Sequence, residues 1–291
     1  MAIASESTKR TYRYLRVSIV ALAVYLAVAV GIEIADGVGY LGSISAYYYT
    51  PVRSVFVGTL TAMSVGLIAI KGRDANREDL LLNIAGMLAP VVAVVPTPIA
   101  PRAGDPPCPG GHEKCIPDEF LSSVQNNMQT LVVLGVAALA LAWWLAWKLE
   151  ELDRYRRPLA VGSVVFVAFA LWFYVDDTWF SRLAHYVAAV PMFGLICAVA
   201  VINSRAVEPD PPGALRYPRM KATTYRRWYR WIAGGIGAVT AFTVVAGIAN
   251  VTSEIDPFPH WVFLAEAGLL VLFAIFWVLQ TMQFWDKGIP D

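Results

Sequence analysis

Eight long apolar runs divide this 291-residue chain and limit the folds that are open to it. An α-helix needs about 20 apolar residues to cross the hydrocarbon core of a bilayer. The runs are too long and too continuous for the strands of a membrane barrel, whose side chains alternate in direction over about ten residues. We therefore predict an all-α polytopic helical bundle forming a single transmembrane domain, with spans near residues 17–34, 55–70, 80–100, 131–149, 159–175, 183–202, 231–250 and 261–279.

The composition excludes other classes of protein. Hydrophobic residues make up 57% of the chain and charged residues only 15%, whereas soluble domains have about 25% charged residues. A disordered chain, a nucleic-acid-binding protein and an ordinary soluble enzyme are therefore excluded. The first apolar run follows basic residues, but it is longer than a signal-peptide core and no small-residue cleavage pattern follows it, so we predict a retained first helix.

The distribution of basic residues predicts the topology. If the N-terminus is cytoplasmic, 19 of the 23 lysines and arginines fall in the inner segments, and only Arg53, Arg102, Lys114 and Arg182 fall in the outer ones. Such a bias is typical of inner-membrane proteins. We predict a multi-pass protein of the bacterial cytoplasmic (inner) membrane with both termini cytoplasmic. Its basic loop at 204–230 has arginines and aromatic residues that suit anionic headgroups, or that simply flank the seventh helix.

Two local features stand out around the third span. Pro90, Pro96 and Pro98 predict that this helix is kinked or ends early, because proline lacks the N–H of a helical hydrogen bond. The loop at 101–128, which this topology places outside the cell, contains Cys108 and Cys115. We predict a disulfide between them. The alternatives are two free thiols, or a zinc site completed by His112 and Glu113.

Polar residues that could perform chemistry concentrate at the outer ends of the spans, and ionisable groups at membrane depth usually face the bundle interior. The inner halves hold almost nothing comparable, apart from Asn83. The outer group consists of Glu33, Asp36, Ser43, Ser45, Tyr47, Tyr48, Tyr49, Arg53, Asp176, Asp177, His185, His260 and Glu266, with Glu254 and Asp256 before the eighth span.

These residues suggest roles that remain open at this point. The candidate catalytic residues are His185, His260, Asp176, Asp177, Glu266 and Ser45. The candidate ligand-binding residues are Arg53, Glu33, Asp36, Tyr48 and Tyr49. A divalent metal such as zinc would be held by His185, His260 and Asp177. Several of these residues also have a simpler structural interpretation. These are an interfacial histidine bonded to a neighbour at His185, a helix cap at His260, an exposed pair at Asp176 and Asp177, and an ion pair between Arg53 and Glu266.

Three segments together carry a family resemblance. They are 43–49 (SISAYYY) leading into 53–58, 183–189 (LAHYVAA), and 266–268 (EAG) with the aromatic residues that end at Trp277. The chain resembles uncharacterised bacterial multi-pass proteins of the domain-of-unknown-function type. More distantly it resembles the DRAM-like family, which includes proteins of GPI-lipid remodelling. The resemblance implies a lipid-related role in which Ser45, His185 and Glu266 are the matching positions, and it leaves the hairpin at 131–175 as an addition.

A second comparison concerns layout alone. The membrane hydrolases that include alkaline ceramidases and adiponectin receptors hold zinc with Ser, Asp and three His near one membrane face. This chain is similar in its inventory of residues but lacks their paired histidines on the last helix.

Three functions follow as hypotheses. The first is a membrane protein with a polar pocket open to the extracytoplasmic leaflet, which binds membrane lipids or acts as a lipid hydrolase or transferase. The second is a transporter or channel for a small solute or protons, using Glu33, Glu266 and His185 as a relay. The third is an accessory protein that docks a partner. The apolar inner halves of the spans count against transport.

Overall fold

The computed structural model describes residues 6–72, 77–101, 104–209, 220–253 and 257–285. The described residues are 82% helical and form an all-α fold. The described residues form eight α-helices, which we number in chain order: α1 (Glu6–Glu33), α2 (Arg53–Ala69), α3 (Glu78–Val94), α4 (Asp118–Lys148), α5 (Leu152–Val175), α6 (Asp177–Ala206), α7 (Ala222–Ser253) and α8 (Trp261–Gln283).

Among the described helices, six are long and apolar enough to cross a membrane, namely α1 and α4 to α8. The other two, α2 and α3, have 17 residues each. Helices of that length extend about 26 Å, slightly less than the roughly 30 Å of a hydrocarbon core. Most of α3 is buried against its neighbours, so its apolar length need not match a lipid layer.

Six helices pack as a ring in the order α1, α2, α3, α6, α7 and α8, and α8 closes the ring against α1. The α4–α5 hairpin lies outside this ring, against α3 and α6. Its outer face exposes apolar side chains such as Val133, Leu134, Val164 and Leu171. A face of this kind is what a helix presents to lipid, and it agrees with the membrane class that the composition predicts.

Both ends of the described chain lie at one end of the bundle. The Arg13 side chain donates a hydrogen bond to the carbonyl of Trp285, and its guanidinium lies 5.0 Å from the centre of the Trp285 ring. Arg13 is in the first turns of α1, and Trp285 directly follows α8. We call this end the termini end, and the opposite end, which carries Cys108 and Cys115, the disulfide end.

Several helices begin earlier than the apolar runs predict. The helix α4 starts at Asp118 instead of 131, and α7 starts at Ala222 instead of 231. The last 11 residues of the predicted loop at 101–128 and the last third of the predicted loop at 204–230 are therefore helical. The reason is that an apolar run marks only the lipid-facing length, whereas the first turns of α4 are amphipathic and bury Val124 and Met128.

The predicted early end of the third span is confirmed. The helix α3 continues through Pro90 but ends at Val94. In a continued helix the N–H groups of residues 96 and 98 would bond the carbonyls of Val92 and Val94, and proline supplies neither. Proline also disfavours a helical conformation in the residue before it.

The sulfur atoms of Cys108 and Cys115 lie 2.13 Å apart, which forms the predicted disulfide. The backbones of Ile99 and Cys115 exchange two hydrogen bonds of 3.0 Å beside it. The zinc alternative is wrong, because both sulfurs are in the disulfide, and the His112 Nε2 atom lies 2.9 Å from the Arg182 guanidinium.

Candidate functional site

The broken end of α3 is completed by side chains from distant parts of the chain. The helical donor to the Val95 carbonyl would be the N–H of Ile99, which instead bonds the carbonyl of Cys115. His185 on α6 takes its place, with Nδ1 at 2.7 Å from the Val95 oxygen. The Tyr49 hydroxyl likewise donates to the Thr97 carbonyl over 3.0 Å. Backbone carbonyls left without a helical partner where α3 ends thus gain side-chain donors inside the bundle.

Three buried hydroxyls lie against this segment. The Ser45 hydroxyl lies 2.8 Å from the Thr97 hydroxyl, and Ser43 lies 3.0 Å from Ser45 and 3.1 Å from Thr97. Each of these three side chains is buried. Ser43 also accepts the N–H of Ala46 over 3.0 Å, which satisfies a free amide at the start of the 3-10 helix Ser45–Tyr49.

The carboxyl group of Glu266 on α8 meets the same 3-10 helix. Its Oε2 atom accepts the N–H of Ile44 at 2.6 Å and that of Ser45 at 3.2 Å, while the Ser45 hydroxyl lies 3.5 Å from Oε1. Helix N-terminal amides have no partner within their helix and carry partial positive charge, so a carboxylate is favoured there. We call Ser43, Ser45, Thr97 and Glu266 the Ser45 cluster.

The prediction of an ion pair between Arg53 and Glu266 is wrong. The Arg53 guanidinium donates to the Tyr48 hydroxyl over 3.1 Å and lies 4.6 Å and 5.2 Å from the centres of the Tyr48 and Phe120 rings. Arg53 therefore has an aromatic environment that satisfies its charge. Among the described residues, no basic side chain lies within 4 Å of Glu266.

The tyrosines of this segment are packed inside the bundle. Tyr48 and Tyr49 are both buried, with ring centres 5.6 Å apart, and the Tyr49 ring lies 5.0 Å from that of Phe120. The Tyr47 hydroxyl donates to the Gly39 carbonyl over 2.7 Å. Burial raises the pKa of the Tyr47 phenol above its ordinary value, so this donor stays protonated at neutral pH.

The remaining predicted site residues lie apart from the Ser45 cluster. Asp176 caps α6 by accepting the N–H of Trp179 at 3.0 Å. Asp177 is exposed beside the Thr178 hydroxyl. His260 is exposed just before α8, with its ring 5.9 Å from that of Tyr40. Glu33 ends α1 partly buried, and Asp36 is exposed in the π-helical turn Ile34–Val38.

The predicted metal ligands are not assembled into a site. Within residues 6–285, leaving out the gaps in the described chain, no three His, Cys, Asp or Glu side chains could jointly hold a metal ion. His185 is buried against the end of α3, whereas His260 and Asp177 are exposed. Glu254 and Asp256 lie outside the described residues.

Sequence reasoning missed Thr97, which contacts both serines of the cluster. The available signal was its position between Pro96 and Pro98. Two prolines so close together free backbone groups at a helix end, and these must find side-chain partners if they are buried.

A second buried polar group, which the sequence analysis did not foresee, lies at the termini end. Asn203 on α6 donates to the Glu78 carboxyl over 2.6 Å and accepts from the Gln280 amide over 3.0 Å. Arg16 is only 1% exposed, and among the described residues its guanidinium has no hydrogen-bond partner. Its guanidinium lies over the rings of Tyr12 and Phe284, at 5.7 Å and 5.2 Å. Arg16, Glu78, Asn203 and Gln280 lie one or two positions outside the predicted spans 17–34, 80–100, 183–202 and 261–279, so this group flanks the inner halves that the sequence predicts to be apolar.

An apolar layer separates the two polar groups. Gln280 follows Glu266 by fourteen positions on α8, and Asn203 follows His185 by eighteen positions on α6, which correspond to about 21 Å and 27 Å of helix. Along these stretches of α6 and α8 the buried side chains are apolar and include Ala188, Met192, Ile196, Leu269, Phe273 and Phe276. The helix α2, by contrast, carries the buried hydroxyls of Thr59 and Ser64 between its two ends.

No protein family, curated protein or solved structure matches this chain in the comparisons with known proteins.

Proposed function

We propose that the chain is a bacterial inner-membrane protein whose disulfide end binds a lipid or lipid-linked substrate in the extracytoplasmic leaflet. In this proposal all eight helices cross the membrane and both termini are cytoplasmic. The charge bias supports this orientation. The contact between Arg13 and Trp285 supports an even number of spans, because it holds the beginning of α1 and the end of α8 at one end of the bundle.

The proposal depends on the Glu266 carboxyl group. It lies on an apolar helix, partly exposed and oriented by two backbone amides. Ionisable groups inside a membrane are costly and usually serve a function. A headgroup that carries hydroxyl or ammonium donors would fit the accepting oxygens of Glu266.

The position of Ser45 favours binding over covalent catalysis. Its hydroxyl lies 3.5 Å from Glu266, which suits a base and a nucleophile. The Ser45 side chain is only 2% exposed, however, and it already contacts Ser43 and Thr97. An ester carbonyl would have to displace these neighbours to reach it. The resemblance to lipid-remodelling proteins at Ser45, His185 and Glu266 supports the choice of a lipid as ligand.

Transport is the weaker candidate. A relay through Glu33, Glu266 and His185 would need polar groups that continue to the termini end. The apolar layer between the Ser45 cluster and Asn203 contains tightly buried side chains such as Ile196 and Phe276, which oppose the passage of protons or solutes.

The test uses the full chain in nanodiscs that contain a photoactivatable phosphatidylethanolamine. Removing the charge in Glu266→Gln should lower cross-linking to the first turns of α8 about tenfold, because hydrogen bonds to charged groups contribute about 1.5–3 kcal/mol. The matched control is Glu33→Gln, which changes a second partly buried glutamate at the disulfide end. Equal cross-linking of the Glu266→Gln variant and the unmodified protein would contradict the proposal.

A further inference from the structure

A cavity of about 460 Å³ opens at the termini end, between the last turns of α6 and the third turn of α7. This volume lies within the usual range of ligand sites, about 300–1,000 Å³. It is separate from the Ser45 cluster, which lies at the opposite end of the bundle. The lining residues are Val201, Ser204, Arg205, Arg230, Ala233 and Gly234.

The cavity has a charged rim and an apolar floor. The helix α6 runs toward the termini end and α7 runs away from it. Ser204, Arg205 and Arg230 therefore lie at the rim, and the other lining residues lie about one turn deeper. Gly234 has open space where a side chain would stand, because no atom lies within 4 Å of the position of a Cβ. Beside the rim, Trp231 is 71% exposed, as is typical of residues at a membrane interface.

The two arginines at the rim are available to bind a ligand. Both are exposed, and among the described residues neither makes a hydrogen bond or an ion pair. Of the residues that the structure describes, no acidic one lines the cavity. The nearby Arg226, by contrast, donates to the Val207 carbonyl over 2.9 Å. Two free guanidinium groups around one opening favour a bound anion, and guanidinium matches phosphate oxygens with paired hydrogen bonds.

We propose that this cavity binds the phosphate of an anionic phospholipid. Arg205 and Arg230 hold the phosphate, and the first methylenes of an acyl chain lie along Val201, Ala233 and Gly234. The apolar floor of the cavity favours a lipid over a soluble phosphate ester as the ligand, because a soluble ester would leave this apolar surface exposed to water. In the topology proposed above, this site faces the cytoplasmic leaflet, where juxtamembrane arginines attract anionic lipids.

The test titrates the full chain in detergent with phosphatidylglycerol and counts the bound lipids by native mass spectrometry. Each arginine removed should weaken the specific binding about fivefold, so that Arg205→Gln with Arg230→Gln weakens it about 25-fold. The control pair is Arg227→Gln with Arg156→Gln, which removes two exposed arginines at the same end but outside the cavity. It should weaken binding less than twofold. An equal loss of phosphatidylglycerol binding in the two double variants would mean that the overall positive charge of this end attracts the lipid. That result would overturn the proposal of a specific site.

A second variant separates the cavity from its charge. Gly234→Leu fills the floor without changing a charge and should weaken phosphatidylglycerol binding at least fivefold, with Gly234→Ala giving a smaller loss. Unchanged phosphatidylglycerol binding in Gly234→Leu would contradict the proposal that an acyl chain lies on the cavity floor. Thermal unfolding of each variant shows whether it is folded.

Two further arms identify the ligand. Phosphatidylcholine should bind at least tenfold more weakly than phosphatidylglycerol, and equal binding would refute selection for an anion. The water-soluble headgroup glycerophosphoglycerol should not compete, and effective competition would refute a lipid ligand. Because Glu266→Gln should leave this binding unchanged, a failure here is distinguishable from a failure of the proposed function at the disulfide end.

Discussion

The imidazole of His185 donates a hydrogen bond from Nδ1 to the carbonyl oxygen of Val95, over 2.7 Å. A carbonyl can only accept, so this contact fixes a proton on Nδ1. The histidine that sequence analysis marks as a base or metal ligand thus supports the unwound end of α3. Its side chain joins α6 to the segment that carries Thr97, and so positions the Ser45 cluster indirectly.

Replacing His185 by alanine should destabilise the protein. The variant His185→Ala leaves the Val95 carbonyl without a donor in a buried place, which costs about 1–3 kcal/mol of unfolding free energy. Denaturation with sodium dodecyl sulfate in mixed micelles measures the change. The matched control is His260→Ala, whose side chain is exposed and whose loss should change the free energy by less than about 0.5 kcal/mol. Equal effects at both positions would contradict the capping role.

Replacing Glu266 by alanine should lower the unfolding free energy more than replacing it by glutamine. The variant Glu266→Ala leaves the N–H groups of Ile44 and Ser45 without an acceptor, and we expect a loss of about 2–4 kcal/mol of unfolding free energy. The variant Glu266→Gln keeps an oxygen in reach of both amides and should lose less than half as much. The same denaturation measurement applies, with Glu33→Ala as the control. An equal loss in Glu266→Ala and Glu266→Gln would show that the charge, and not the acceptor, stabilises this contact.

The sequence predicted the helices well because each depends on a local pattern. An apolar run of about 20 residues has few alternatives to a membrane helix, and Pro96 with Pro98 is enough to predict that α3 ends early. The predictions failed where the first turns of a helix are polar. Arg16 looks like a charged flank in the sequence, yet α1 starts at Glu6 and places Arg16 three turns inside the helix, where it is buried.

The sequence was enough to predict which residues belong to the candidate site, but not which of them contact each other. Ser45 and Glu266 both stand out as polar residues near the outer ends of apolar runs. Their contact joins residues 221 positions apart, and it depends on α8 packing against α1, which no local pattern determines. The pairing of Glu266 with Arg53 looked favourable by charge alone. This ion pair does not form because the Arg53 guanidinium lies against the rings of Tyr48 and Phe120, while backbone amides donate to the Glu266 carboxylate.

The two kinds of cysteine give a test of the proposed topology. A membrane-impermeant maleimide added to intact cells should label Cys108 and Cys115 only after reduction of their disulfide, since the loop that contains them is proposed to face outward. Cys197 should stay unlabelled until denaturation, because its thiol lies between α6 and α7, 3.2 Å from the Ala233 carbonyl. Labelling is read on a gel with a maleimide that shifts the mobility of the protein. Labelling of the reduced pair only in permeabilised cells would reverse the topology.

The contact between α2 and α3 should be sensitive to one methyl group at Gly86. A Cβ atom at this position would lie 2.7 Å from the Ile68 side chain and 3.0 Å from the backbone oxygen of Ser64. Backbone atoms cannot move aside without shifting the helix, so Gly86→Ala should cost about 1–3 kcal/mol of unfolding free energy. The control is Gly58→Ala on the partner helix α2, where no atom lies within 4 Å of the added methyl group. That variant should be neutral or more stable by up to about 1 kcal/mol, because alanine favours a helix over glycine. Denaturation in mixed micelles distinguishes the two, and a neutral Gly86→Ala would mean that α2 and α3 pack less closely than the Ser64 to Gly86 hydrogen bond of 2.6 Å indicates.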